Sequence, residues 1–156
     1  MISSEIIRRY PFFAGLSLDQ INTLAKAASE EKVEAGHFFL REGDEVPYLY
    51  LLVEGTADAL IELPTKDREI IVGTIGPGEM FAWSALVPPH KATASVKATA
   101  PCRLIAIDCR KLLEAFEEDY QFGYVMMTKA AQLTRDRIAN MNIEFLAYLA
   151  GETGGK

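Results

Sequence analysis

The chain has 156 residues, of which 49% are hydrophobic and 24% are charged. These values indicate one folded domain with a substantial core, and they exclude a largely disordered chain. The net charge of −6 argues against a dedicated nucleic-acid-binding protein, and no apolar run approaches the ~18 residues of a membrane span.

The N-terminal part of the sequence predicts helix between residues 2 and 28, with breaks at Pro11 and Gly15. Charges at Glu5, Arg8 and Arg9 interrupt its apolar stretch, so we predict no secretory signal. The next turn reads SLDQ from residue 17, which is the pattern of a capping box. The apolar side of the helix that follows is predicted to consist of Leu18, Ile21, Leu24, Ala25 and Ala28.

Short apolar runs separated by turn residues follow between residues 31 and 108. The runs predicted to be strands are 32–34, 38–40, 48–53, 57–63, 70–72, 95–98 and 103–107. The predicted turns are 35–36, 42–44, 54–55, 64–67 and 76–78. A short helical turn is predicted over residues 83–86. This spacing of strands and turns is typical of an all-β barrel or jelly roll.

Helix returns at the C-terminus. Asp108 is the predicted N-cap of a short helix that carries Leu112, Leu113 and Phe116. A long helix is predicted from residue 120 to residue 149, and at 1.5 Å per residue it would span about 45 Å. We therefore expect a single domain over residues 1–150 and a flexible tail over 151–156. Within the domain, we expect helices over 1–29, a barrel over 30–108 and helices over 109–149.

The long helix carries a heptad stripe, because its apolar residues are spaced alternately by three and four. The members of this seam are Tyr124, Met127, Ala131, Thr134, Ile138, Met141, Phe145 and Tyr148. Such a stripe buries itself against a partner helix in a left-handed coiled coil. We expect a homodimer formed through this helix; the alternative is that the stripe packs on the chain's own barrel.

Four segments resemble motifs of the cyclic-nucleotide-binding domain family and occur in the order of that family. They are residues 10–16 (YPFFAGL), 36–44 (GHFFLREGD), 48–55 (YLYLLVEG) and 76–78 (GPG). The resemblance covers roughly residues 8–147. It implies an α+β fold, mainly β: a double-stranded jelly-roll barrel flanked by N-terminal helices and a long C-terminal helix.

The segments 76–86 (GPGEMFAWSAL) and 92–96 (ATASV) resemble the family's phosphate-binding cassette. In the family, backbone N–H groups of a short helical turn and an Arg bind a cyclic phosphate, while a Glu binds the ribose hydroxyl. The resemblance implies a ligand site that contains Phe81, Ala82, Trp83, Ser84, Ala85, Lys91, Ala92, Thr93 and Ala94.

Two of the family's three binding devices are missing from this cassette. Trp83 stands at the position of the ribose-binding Glu, and Ala92 stands at the position of the phosphate-binding Arg. Only the backbone donors, at Ser84 and Ala85, are expected to remain. Losing a buried charge pair costs about 2–5 kcal/mol, and losing a neutral hydrogen bond costs about 1 kcal/mol. We therefore expect the affinity for cyclic nucleotides to fall by about two to four orders of magnitude.

The sequence thus predicts a non-catalytic regulatory module with weak or no binding of cyclic AMP or cyclic GMP. In one alternative, Lys91 and Thr93 replace the missing Arg, and the chain is a receptor for a cyclic nucleotide or another small anionic ligand. Lys91 would then need a rearranged loop, because strand neighbours point to opposite faces. In the other alternative, Trp83 fills the pocket and the chain is a structural or dimerisation protein.

The histidines and cysteines are the remaining candidates for further chemistry. Haem binding through His37 or His90 is a third alternative, and no catalytic triad, P-loop or zinc pattern predicts an enzyme. Cys102 and Cys109 are expected to be buried free thiols of a cytoplasmic chain. If Lys156 ends the protein, no DNA-reading module follows the long helix. We then expect an effector protein as a partner, and neither DNA nor a membrane.

Overall fold

The computed structural model describes residues 1–64 and 68–154, with side chains described as far as residue 151. Three short elements precede the barrel: α1 (Ser4–Arg8), the 3-10 turn Pro11–Phe13 and α2 (Leu18–Ala27). The predicted capping box of α2 is confirmed. The Ser17 hydroxyl accepts a hydrogen bond from the Gln20 N–H at 3.1 Å, and the Gln20 side chain accepts one from the Ser17 N–H at 2.9 Å.

Two details of the α2 prediction are wrong. Ala28 is the first residue of a strand rather than part of the helix. Leu18 is 60% exposed, so the buried side of the helix begins at Ile21 and continues through Leu24 and Ala25. The capping box explains why: the first turn of α2 is fixed by polar hydrogen bonds rather than by burial, so its apolar residue is not drawn into the core.

Eight antiparallel strands form the barrel. They are β1 (Ala28–Val33), β2 (Phe38–Leu40), β3 (Tyr48–Glu54), β4 (Ala57–Leu63), β5 (Arg68–Ile75), β6 (Met80–Phe81), β7 (Ser95–Ala98) and β8 (Cys102–Asp108). One sheet has the order β1-β8-β3-β6 and the other β2-β7-β4-β5. This arrangement confirms the predicted mainly-β jelly roll. The predicted turn at 64–67 falls largely outside the described residues.

The strand β6 was not predicted, because two residues are too few to show an alternation of apolar and polar side chains. The structure nevertheless pairs it with β3, where Phe81 lies opposite Tyr50 and Met80 lies opposite Leu51. This short strand leads directly into the 3-10 turn Trp83–Leu86, which is the predicted helical turn of the cassette.

The core has two layers, one on each face of the sheet that contains β3 and β8. Leu49 and Leu51 of β3 lie in the layer under the helices, together with Phe13, Leu24 and Phe122. The alternate residues of β3 lie inside the barrel, in the second layer. Because β3 is buried on both faces, its sequence reads as a continuous apolar run rather than as an alternating one.

Two helices complete the chain. Asp108 caps α3 (Cys109–Glu118) by accepting hydrogen bonds from the N–H groups of Arg110 and Lys111, as predicted. The last helix, α4 (Tyr120–Gly154), continues beyond the predicted end at residue 149. The expected flexible tail over 151–156 is therefore helical as far as Gly154, and its last two residues lie outside the described part of the chain.

The two sides of α4 differ in burial. Phe122, Met126 and Ala130 are buried against the rest of the chain. The predicted seam lies on another side: Tyr124 is 74% exposed and Phe145 is 58% exposed. Among the other seam residues, only Met141 and Tyr148 are half-buried, while Met127, Ala131, Thr134 and Ile138 are exposed. Within the described residues, no helix combines the length and apolar character that a membrane span requires.

Candidate functional site

A cavity of about 560 Å³ lies between the cassette, the barrel and α4. Six of the nine predicted site residues line it, namely Phe81, Ala82, Trp83, Ser84, Thr93 and Ala94. Leu40, Ala59 and Val96 extend the apolar wall into the strands β2, β4 and β7. The cavity is therefore partly a surface of the cassette and partly a surface of the jelly roll.

Ala85, one of the two predicted backbone donors, is not available to this cavity. Its N–H donates to the carbonyl oxygen of Ala82 at 3.1 Å, which closes the 3-10 turn. Ala82 reaches this geometry with a left-handed φ of 72°. Ala85 instead lines a separate cavity of about 900 Å³ beside α3. Ser84 is thus the predicted donor residue that remains at the 560 Å³ cavity.

Ala92, at the position of the family's Arg, and its neighbour Lys91 do not line this cavity. Ala92 is buried, and its backbone is fixed by hydrogen bonds of 2.8 Å to Asp44 and from Gly43. Lys91 is exposed and pairs across an isolated antiparallel bridge with Glu45. Neither residue lines the 560 Å³ cavity, although Thr93 does. Lys91 is therefore not placed to replace the missing Arg.

Trp83 lines the cavity without filling it. The indole packs against the N-terminal segment, with its ring centre 5.5 Å from that of Phe12, and only 9% of the residue is exposed. Its Nε1–H is buried and has no acceptor among the described residues. The cavity of about 560 Å³ remains beside the ring. The indole of Trp83 is therefore an apolar wall of the cavity and leaves the cavity open.

Phe81 lines the cavity on the barrel side, and other aromatic rings pack behind it. Phe81 stacks on Tyr50 with 5.1 Å between ring centres, and it meets Phe39 edge-on at 5.3 Å. Burial raises the pKa of Tyr50 to about 12, with a smaller contribution from the charge of Glu31. The phenol therefore stays neutral, and this group of aromatic rings contributes no negative charge.

The third wall is α4, which the sequence did not indicate as part of the site. Its lining residues are Met127, Ala130, Ala131, Thr134, Arg135, Arg137 and Ile138. Four of these seven also belong to the predicted seam. The available signal was the pair of arginines, which are the only residues of this type in α4.

Arg137 lies in an unusual electrostatic environment. Burial lowers the pKa of its guanidinium, and the charge of Glu79 opposes that shift. Among the described residues, no carboxylate oxygen lies within 4.0 Å of the guanidinium. Glu79 lines the adjacent cavity of about 450 Å³, as does Arg137 itself. The described residues that line the 560 Å³ cavity include no Asp or Glu.

The histidines and cysteines lie outside this cavity. The Nδ1 atom of His90 is 3.0 Å from the carbonyl oxygen of Ala85, and His37 packs edge-on against Phe39. Cys102 and Cys109 are buried and free, as predicted. The described residues contain no cluster of His, Cys, Asp or Glu that could hold a metal ion.

A jelly-roll barrel whose cassette and C-terminal helix enclose a small cavity defines a class of ligand-binding regulatory domains. The comparison with family models agrees: residues 30–119, more than half of the chain, match the cyclic nucleotide-binding domain. The chain belongs to the cyclic nucleotide-binding domain family, which is regulatory and non-catalytic.

Solved structures show the same fold. A Geobacter metallireducens protein named for cyclic-nucleotide binding is 31% identical with a TM-score of 0.78, over 88% of this chain and 99% of that one. The regulatory domain of Toxoplasma gondii PKA, crystallised with cAMP, is 27% identical with a TM-score of 0.62, over 71% of this chain and 42% of that one.

Curated relatives are longer proteins. A cAMP-dependent protein kinase regulatory subunit of Eremothecium gossypii is 31% identical over 96 residues, which are 62% of this chain and 20% of that protein. The potassium channel GORK of Arabidopsis thaliana is 23% identical over 145 residues, which are 92% of this chain and 18% of that protein. The chain thus spans about a fifth of the length of these two relatives.

Proposed function

We propose that this chain is a non-catalytic sensing module that binds a small anionic ligand in the 560 Å³ cavity and responds through α4. The observation that supports the proposal most strongly is the composition of the cavity wall. Apolar side chains predominate, Arg135 and Arg137 belong to the lining, and the described lining residues include no carboxylate. A pocket of this kind suits a ligand with an apolar body and a negative charge.

We further propose that the affinity for cyclic AMP and cyclic GMP is weak. Trp83 cannot accept a hydrogen bond from a ribose hydroxyl, because an indole is a donor only. Ala92 carries no charge, and the exposed Lys91 does not line the cavity. The expected loss of about two to four orders of magnitude in affinity follows from these missing partners.

We propose that a bound ligand changes the position of the seam residues of α4. Met127, Ala131, Thr134 and Ile138 belong to the seam and also line the cavity, so a bound ligand and a partner helix would share one stretch of α4. We propose that a second copy of the chain covers the exposed seam, and that the dimer signals to an effector protein in the cytoplasm. DNA and membranes are not proposed as direct partners.

Trp83 provides a direct test of the ligand proposal. It is the chain's only tryptophan and lines the cavity, so its fluorescence should change when cyclic AMP or cyclic GMP is added at millimolar concentration. Thr93→Phe should abolish the change, because Thr93 lines the cavity. The control Thr99→Phe, at an exposed position outside the cavity lining, should respond like the wild type.

A structural dimerisation protein is the second candidate, favoured by the exposed apolar side chains of α4 such as Tyr124 and Phe145. This candidate requires no ligand. It predicts an unchanged Trp83 emission with every nucleotide and anion, and no copurified mass in native mass spectrometry of fresh protein. A copurified small molecule that is lost on Thr93→Phe would support the sensing module instead.

A further inference from the structure

The positive charges of the cavity come from α4 and not from the cassette. Arg135 and Arg137 line the cavity, whereas the cassette position that carries an Arg in the family is Ala92. The other polar lining groups are hydroxyls, at Ser84, Thr93 and Thr134. Any anion in this space therefore finds its cationic partners on the helix.

Arg137 is the stronger of the two candidates for such a role, because it is half-buried while Arg135 is exposed. A guanidinium that is removed from water and lacks an ion pair carries a desolvation cost, which a bound anion would offset. The nearby negative charges belong to Glu79, Asp136 and Glu144, all of which line the neighbouring 450 Å³ cavity. None of these carboxylates lines the 560 Å³ cavity.

The absence of carboxylates from the described lining also bears on sugar recognition. A ribose 2′-hydroxyl is selected when a fixed acceptor receives its hydrogen bond, and rejection of the deoxy form follows from leaving that acceptor unpaired. Trp83 cannot act as an acceptor, and the neighbouring side chains of Phe81 and Ala82 are apolar. The hydroxyls of Ser84 and Thr93 can rotate to pair with other groups, so they impose no such penalty.

We infer that the ligand of this cavity is an anion with an apolar body, that Arg135 and Arg137 of α4 hold its charge, and that the site does not distinguish a ribose 2′-hydroxyl from hydrogen. This inference rests on the proposed sensing function and adds the ligand class and the residues that select it. Because the charge partners belong to the helix, binding of the anion fixes α4 against the barrel. The seam on the same stretch of α4 then responds to the ligand.

The test uses three probes, each at concentrations up to the millimolar range: cyclic AMP, its 2′-deoxy form, and adenosine, which has the same base without the charge. Binding is followed by calorimetry and by Trp83 fluorescence. The wild type should bind the two cyclic nucleotides with affinities that agree within about threefold. It should bind adenosine at least about tenfold more weakly, because adenosine forms no charge-assisted hydrogen bond.

The variants test whether the arginine charges of α4, rather than the helix as a whole, hold the anion. The double substitution R135Q/R137Q should weaken binding of cyclic AMP at least about tenfold and leave the binding of adenosine within about threefold. Lys129→Gln is the charge control on the same helix, at a position that does not line the cavity. It is read by calorimetry alone, because Lys129 Nζ lies 5.2 Å from the centre of the Phe12 ring, which packs against Trp83. It should bind all three probes like the wild type. Circular dichroism of each variant checks that the chain is folded.

Each outcome tests a different part of the inference. Wild-type affinity for cyclic AMP in R135Q/R137Q would overturn the inference and leave the sensing function intact. A preference of more than about tenfold for the ribose form over the deoxy form would overturn the claim about the hydroxyl. Failure of the wild type to bind either cyclic nucleotide at millimolar concentration would overturn the inference, because the two arginines would then hold no anion of this kind, whereas the weak affinity for cyclic nucleotides under the proposed function would not be contradicted.

Discussion

At the scale of single residues, the proposed ligand preference depends on two cassette positions, Trp83 and Ala92. The indole of Trp83 packs against Phe12, so the change from an acceptor to a ring alters the cavity wall without closing the cavity. Ala92 is buried and hydrogen-bonded to the Gly43–Asp44 turn through its backbone, and its side chain carries no charge. In our proposal, these two side chains rather than the path of the backbone reduce the affinity for cyclic nucleotides.

The buried thiol of Cys109 makes stability depend on pH. Burial raises the pKa of this thiol from 9.0 to about 12. The folded chain therefore keeps a proton that the unfolded chain loses above pH 9, and the free energy of unfolding falls as pH rises through the window from 9 to 12. The limit for one group is about 1.4 kcal/mol per pH unit.

Denaturation between pH 9 and pH 10 measures this effect, because the phenol of Tyr50 has an ordinary pKa of 10.0 and contributes mainly at higher pH. Burial also raises the pKa of the Cys102 thiol, so Cys109→Ala should reduce the fall in the free energy of unfolding over this interval without abolishing it. A slope that is equally steep in the variant would show that another group holds the proton.

At the scale of the elements, the two sides of α4 differ in what they contact. Its buried side, which includes Phe122 and Met126, attaches it to the chain's own core. Its seam side is exposed at Tyr124, Ile138 and Phe145, and the middle of the seam faces the ligand cavity. A helix with apolar residues on both sides has a weak amphipathic pattern as a whole, although each side has a regular spacing.

The seam leads to a prediction about assembly. The wild type should be a dimer, about twice the 17.3 kDa of one chain, in size-exclusion chromatography with light scattering. Phe145→Glu should give the monomer, because it places a charge at a core position of the coiled coil. Leu146→Glu is the control: Leu146 is 65% exposed and lies outside the seam, so the dimer should persist.

Two outcomes would contradict the proposed dimer. One is a wild-type chain that stays monomeric at every concentration tested. The other is a Leu146→Glu variant that dissociates as fully as Phe145→Glu, since that result would assign the effect to charge on α4 in general rather than to the seam.

At the scale of the whole molecule, the sequence was informative wherever a local pattern determines structure. The capping box at Ser17, the cap at Asp108 and the strands bounded by turns were all predicted, because each depends on neighbours in the chain. The short strand β6 was missed because two residues are too few to show an alternating pattern, so that only its pairing with β3 reveals it. The cassette side of the cavity was likewise predicted from its motif.

The α4 side of the cavity could not be predicted in the same way. Arg137 and the cassette residue Ala82 are 55 positions apart, and only the fold brings both to the cavity wall. The heptad pattern assigned Ala131 and Ile138 to a partner helix, and the same residues also face the cavity. Because the seam and the cavity wall share these residues, they leave one apolar pattern in the sequence, and the cavity wall became visible only in three dimensions.

The central claim is that the chain keeps the receptor fold while its affinity for cyclic nucleotides is reduced. Calorimetric titration of the wild-type protein with cyclic AMP and cyclic GMP tests this claim most directly. The predicted dissociation constants are about 100 μM or weaker, which corresponds to a loss of about two orders of magnitude from a micromolar site. A dissociation constant tighter than about 10 μM for either nucleotide would contradict the account, because Trp83 and Ala92 would then cost the site almost nothing.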